Sequence, residues 1–215
     1  IGLRKYLNMF ITWLGQSCFK IQSRDVRVIT DPVSKKSGLR SPRLANADLI
    51  TVSNPEYDSG KLKTDVLIID GPGEYEAKQV FVKGIAVEHE NGNPQNTVYW
   101  IEMEGITLGH LGNLNGTLTD QQLESLEGLD ILFVPVGGNG VLDAKKASDV
   151  ISQIEPRMVI PMHYKITGLK EKRDTIDQFK KALGVNSAEK VEGRLSIKKK
   201  ELPQEDMQVT ILQPQ

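Results

Sequence analysis

Between Met9 and Leu108 the chain is divided into eight short apolar, β-branched runs, at residues 10–14, 18–22, 26–30, 49–52, 66–70, 80–87, 97–103 and 106–108, before any helical pattern begins. Runs of this length, separated by Gly, Pro, Asn and Asp, predict strands, and so many in succession must pair into sheets rather than wrap a helical bundle. Helical signals arrive only at Thr119. Thr119 with Gln122 forms a capping box ahead of Leu123 and Leu126, which predicts a helix over residues 120–126. Asp143 is placed to cap a second helix, whose Ala147, Val150, Ile151 and Ile154 share one face before Pro156 stops it. Asp174 is placed to cap a third, with Ile176, Phe179 and Leu183 inward and Gly184 at its end. Residues 131–136 and 158–161 are apolar strands on either side of the second helix, and strand pattern returns at 195–199 and 209–212. A β-rich half followed by a half mixing strands with helices predicts an α/β domain of two sheets packed face to face with helices outside.

The chain has 215 residues and no linker, so residues 9–215 are expected to form one domain, with residues 1–8 as an N-terminal extension that has no strand pattern. Lys+Arg 27 nearly cancels Asp+Glu 28, which argues against nucleic acid as a partner on charge alone. The basic runs at 198–200 and 170–173 sit among acids and read as solvated faces. A single cysteine, Cys18, excludes an internal disulfide, matches no zinc-finger or redox spacing, and reads as a small buried hydrophobe. No apolar run approaches the roughly 20 residues of a membrane span, and no signal-peptide pattern opens the chain, so a cytoplasmic protein that does not enter the membrane is expected.

Three histidines carry the candidate chemistry. His89, His110 and His163 each lie at or just beyond a predicted strand end, where side chains converge on one rim of a sheet, and a carboxylate-rich turn, Asn54-Pro55-Glu56-Tyr57-Asp58-Ser59, follows another strand. Spacing alone leaves two readings open, hydrogen-bonded structural histidines or metal ligands. The glycine-rich Asp70-Gly71-Pro72-Gly73-Glu74-Tyr75 and Gly137-Gly138-Asn139-Gly140 read as turns after strands.

Order along the chain adds more. Ile11-Thr12-Trp13-Leu14-Gly15-Gln16-Ser17-Cys18-Phe19, Thr30-Asp31-Pro32 and Asp70-Gly71-Pro72-Gly73-Glu74-Tyr75 are followed by His110-Leu111-Gly112-Asn113-Leu114, Pro135-Val136-Gly137-Gly138 and Ile160-Pro161-Met162-His163-Tyr164. In this order the chain resembles the metallo-β-lactamase fold superfamily, in particular its compact lactonase-like, ascorbate-phosphate-lactonase-like branch of Zn-dependent hydrolases. The resemblance covers nearly everything from Met9 to Leu212. It implies a four-layer αββα sandwich with the metal site at the rim between the sheets.

The resemblance also implies a ligand set, and this chain departs from it. The family's His-x-His-x-Asp-His turn falls on Asn54, Glu56, Asp58 and Ser59; two later histidines fall on His89 and His163; the aspartate that bridges the two ions falls on Asn113. His110 matches a family motif without being a ligand position, and is expected to orient its loop by hydrogen bonding. A catalytic zinc takes about three protein ligands plus water, with imidazole, thiolate or carboxylate donors. The implied first site keeps His89 and Glu56 beside the neutral amide of Asn54; the second keeps Asp58 and His163 beside the hydroxyl of Ser59. Two zinc ions are therefore not expected. Glu56, Asp58, His89 and His163 remain as an acceptable set for one zinc, manganese or iron. Two functions follow: a non-catalytic relative of the hydrolases that binds or scaffolds an unidentified small molecule or protein, or a single-metal hydrolase of a phosphodiester, lactone or other ester.

Overall fold

The computed structural model describes residues 7–33, 35–54, 65–88, 96–185, 189–191 and 193–215. Its strands, in chain order, are β1 Met9–Gly15, β2 Cys18–Ser23, β3 Val26–Thr30, β4 Leu49–Thr51, β5 Leu67–Ile69, β6 Gly73–Ala77, β7 Val80–Val87, β8 Asn96–Met103, β9 Ile106–His110, β10 Ile131–Pro135, β11 Met158–Met162, β12 Glu189–Val191, β13 Leu195–Ile197 and β14 Gln208–Leu212. The helices are α1 Asp120–Glu124, α2 Ala144–Ile154 and α3 Ile176–Ala182. The strands form two mixed sheets, one ordered β13-β1-β2-β3-β4-β5 and the other β12-β14-β11-β10-β9-β8-β7-β6. Two mixed sheets with few helices make the α/β sandwich expected from the sequence.

Burial along each strand shows what covers it. In β10 and β11 every residue is buried, as expected of parallel strands covered on both faces. Their outer cover is α2, the crossover between them, which buries Ala147, Val150, Ile151 and Ile154. In β1 and β2 one face carries Met9, Ile11, Trp13, Phe19 and Ile21 into the inter-sheet core, where Phe19 meets Phe133 of the facing sheet at 4.3 Å between ring centroids. The opposite face is covered, among the described residues, by chain 33–47 with two single 3-10 turns at Lys35–Ser37 and Leu44–Asn46. Val33 and Ala47 pack there on Cys18, Ile29, Ile50 and Val52. Cys18 is fully buried, and that burial pushes its thiol far above the usual thiol range, so it is an inert packing residue. No helix among the described residues is long and apolar enough to cross a membrane.

Both expected caps of the first two helices form. Thr119 Oγ1 accepts the Gln122 N–H at 3.3 Å and Gln122 Oε1 accepts the Thr119 N–H at 2.8 Å; Asp143 Oδ1 accepts the Lys146 N–H at 2.9 Å. The third helix departs from expectation: its N-cap is Thr175, not Asp174. The Asp174 backbone is already engaged, its N–H donating to Gly137 O and its carbonyl accepting the Lys165 N–H, each at 2.8 Å. The segment at 73–77, read as a turn, is β6, an edge strand too polar and exposed to show an apolar run.

A buried charge joins three strands near the far end of the second sheet. Asp130, just before β10, has a side chain only 3% exposed and accepts the Thr107 N–H at 2.8 Å and the Thr107 hydroxyl at 3.0 Å. Its cationic partners are Lys199 and, at 3.7 Å, Arg157. Lys199 therefore has a structural partner that the solvated-face reading of 198–200 did not anticipate.

Candidate functional site

The rim where strands end collects the polar residues. The β1–β2 turn carries Gln16 and Ser17; Asp31 follows β3, Asn54 follows β4, Asn113 follows β9 and His163 follows β11. All of them line one cavity of about 300 Å³, joined by Lys36, Ser37 and Glu171 from neighbouring loops. Carboxyl ends of parallel strands are the usual place for such a cleft in α/β sheets.

His163 is held by backbone geometry. Its φ is +57°, in the left-handed region, and its carbonyl lies so close to Gly137 that a Cβ there would stand 1.9 Å from that oxygen. Only glycine fits, which gives Gly137-Gly138 a positioning role. The His163 side chain is buried, with Nε2 3.2 Å from Ser17 Oγ, while Nδ1 has no hydrogen-bond partner among the described residues. His110 is fully buried and places Nε2 2.8 Å from the carbonyl of the same Ser17, its ring packed beside the Phe19–Phe133 pair with centroids 6.3 and 6.0 Å away. It fastens the β1–β2 turn, in keeping with a loop-orienting role.

Neutral amides hold the next loop. Asn96 is buried; its Nδ2 donates to Leu111 O and its Oδ1 accepts the Asn113 N–H, each at 2.9 Å. Gly112 between them has φ +57°, and a Cβ there would meet Ser53 Oγ at 2.3 Å. Asp31, φ +37°, spends both oxygens on Ser53, accepting its N–H and its hydroxyl at 2.6 Å each. Glu171 is likewise engaged, by Gln16 Nε2 at 2.8 Å and by Arg173 at 2.7 Å.

Burial sets the protonation of both histidines. Desolvation first, then the Arg173 guanidinium and His110, lower the His163 imidazole to about 3; desolvation also lowers His110, against the pull of Asp31. Both are neutral when folded, whereas unfolded imidazoles take up protons near pH 6.5. The unfolded state therefore binds more protons below that pH, and stability falls as pH drops from about 6.5 toward 3. Urea melts at pH 7 and pH 5 should show a loss of about 2 kcal/mol from His163 alone, at ~1.4 kcal/mol per unit. Equal stability at the two pH values would mean that the histidines are not buried in the neutral form.

Of the residues singled out from sequence, Asn54, Asn113 and His163 share the cavity wall. Glu56, Asp58, Ser59 and His89 lie outside the described residues. Gln16, Ser17 and Asp31 line the same cavity without having been assigned a role; they stand in two of the ordered motifs, at strand ends, but the implied ligand set did not include them. Among the described residues no group of three or more His, Cys, Asp or Glu is placed to hold a metal ion. Among the described residues the rim offers two neutral amides, Asn54 and Asn113, one imidazole, His163, and the Asp31 carboxylate, each of whose oxygens accepts a hydrogen bond from Ser53.

A rim of this kind on two stacked mixed sheets defines a metallo-β-lactamase-type domain. Residues 10–163 match the family described as the beta-lactamase superfamily domain, and the chain belongs to that superfamily. A solved structure from Thermotoga maritima, described as a Zn-dependent hydrolase of the metallo-beta-lactamase superfamily, is 32% identical with a TM-score of 0.81, over 96% of this chain and 100% of that one. A UPF0173 protein of Pyrococcus furiosus is 26% identical over 202 residues, 81% of this chain and 90% of the relative. A UPF0173 metal-dependent hydrolase of Carboxydothermus hydrogenoformans is 27% identical over 196 residues, 73% of this chain and 84% of the relative.

Proposed function

We propose that this chain is a cytoplasmic member of the compact lactonase-like branch whose dinuclear metal centre has been lost, and that it works as a non-catalytic binding protein. The observation that supports this reading is the pair of neutral amides, Asn54 and Asn113, on the cavity wall beside His163. A carboxylate at the Asn113 position would neutralise two cations ~3.5–4 Å apart, which an amide does not do. The relatives described as metal-dependent hydrolases are therefore models for the fold of this chain rather than for its chemistry.

The second reading is one divalent cation on Glu56, Asp58, His89 and His163, activating water against a phosphodiester, lactone or other ester. One observation favours it: the buried His163 Nδ1 is left without a partner among the described residues. Elemental analysis of protein purified without chelator, with assays on generic phosphodiesters and lactones, separates the two. At most one metal equivalent and no metal-dependent turnover beyond a trace are expected. Robust turnover that His163→Ala abolishes would overturn the binding-protein reading and establish the single-metal enzyme.

A further inference from the structure

Near-neutral net charge conceals an uneven placement of arginine. The sequence has eight arginines, of which Arg4 lies outside the described residues. Arg24, Arg157 and Arg173 pair with Glu104, Asp130 and Glu171. The guanidinium groups of Arg27, Arg40, Arg43 and Arg194 have no carboxylate partner among the described residues, and these arginines belong to the outer face of the first sheet or to the segments beside it.

Strand register explains how they come together. Lys20 pairs with Ile29 and Gln22 with Arg27 across β2 and β3, so Lys20 and Arg27 are diagonal neighbours on the face opposite the inter-sheet core. Such neighbours stand roughly 7–8 Å apart. Arg43, from the covering segment, completes a groove of about 360 Å³ in which Lys20, Arg27 and Arg43 stand over Leu14, Ile29 and Pro42. Among the described residues no carboxylate lines it, and its other polar side chains are the amides of Gln22 and Asn46. Phe10 pairs with Gln22 across β1 and β2, and the Arg194 guanidinium lies 4.2 Å from its ring centroid, so a stacked cation adjoins the groove.

We propose that this groove binds single-stranded nucleic acid, with Lys20, Arg27 and Arg43 on the phosphodiester backbone and the Arg194–Phe10 pair offering a plane to a base. Guanidinium forks match phosphate in two-point geometry, and bases stack on arginine planes as well as on aromatic rings. A positively charged groove that tracks the backbone is the common device for sequence-tolerant strand binding. Concavity favours a strand over a lipid surface, because the cations line a trough instead of projecting from a convex face. The balanced charge that argued against nucleic acid is an average over the whole surface, and binding responds to the local field. The proposal is independent of what the rim cavity does.

The test is fluorescence anisotropy of a labelled 20-nucleotide RNA and a labelled oligo-dT of the same length at 50 and 200 mM salt. Three phosphate contacts predict a slope of log K on log salt near −2, so binding should weaken about 20-fold over that range. Arg27→Gln with Arg43→Gln should weaken binding at least tenfold at 50 mM and bring the slope to about −0.7. Arg43→Gln with Arg194→Gln, which leaves the Arg27 contact to the Asn46 carbonyl in place, should weaken binding in the same direction and guards against a folding defect. Lys145→Gln with Lys146→Gln, the same loss of charge on exposed α2 positions, should change affinity less than twofold. Absence of binding to either oligonucleotide at 50 mM, equal losses in the groove and α2 variants, or tighter binding to phosphatidylserine vesicles or polyglutamate than to RNA or DNA would each overturn the proposal.

Discussion

Combining Asn54→His, Glu56→His, Ser59→His and Asn113→Asp should raise bound zinc from one equivalent or none to about two, the number a two-metal hydrolase site holds. The local frame at Asn113 does not depend on the side chain being changed. Its N–H is held by Asn96 Oδ1 at 2.9 Å, and Gly112 keeps the approach to Ser53 open, so an isosteric carboxylate can occupy the same place. His163 is already locked at its unusual φ by the close packing of Gly137. Zinc content after dialysis, together with competition against a chromophoric chelator, measures the gain. A variant that folds and still holds at most one ion would show that this rim is not a lost dinuclear centre.

Stability should respond most strongly at Asp130. Removing both cations, Arg157→Ala with Lys199→Ala, leaves the carboxylate, whose side chain is only 3% exposed, with its Thr107 hydrogen bonds but no counter-charge; because the Arg157 and Lys199 side chains are themselves 44% and 34% exposed, the expected loss is about 1–3 kcal/mol. Denaturant melts of the double variant measure the loss. Adding Asp130→Asn should recover part of it, because an amide is less costly to bury than an unpaired charge and still accepts from Thr107. If Asp130→Asn instead deepens the loss in that background, the destabilisation comes from lost packing of the Lys199 and Arg157 stems and not from the stranded charge.

The inner strands were legible because their side chains alternate or run apolar, and β3 and β7 have the bounds expected of them. β6 was not legible: its exposed glutamates carry no hydrophobic signal, and its pairing with β7 is what makes it a strand. The start of α3 was misplaced by one residue because the backbone contacts of Asp174 to Gly137 and Lys165 are long-range. The rim follows the same division. Asn54, Asn113 and His163 are far apart in sequence, and no periodicity links them; only motif order suggested that they converge. Ser17 and Gln16 lie in one of the ordered motifs, but nothing local assigned them a place in the site, since their contacts to His163 and Glu171 span more than a hundred residues.

The outer strand β6 has a further consequence. It ends its sheet among the described residues, follows Pro72, and carries Glu74 and Glu76 exposed on one face with Tyr75 and Ala77 on the other. A second copy adding antiparallel at this edge about a two-fold axis through Tyr75 would set Glu74 of each chain against Glu76 of the other, and like charges directly opposite are destabilising. Natural sheets use charge and proline at such borders to stop chains from templating one another. Strand addition in this register is therefore disfavoured at β6, and the same exposed glutamates that deny it a hydrophobic pattern are what make it a poor template.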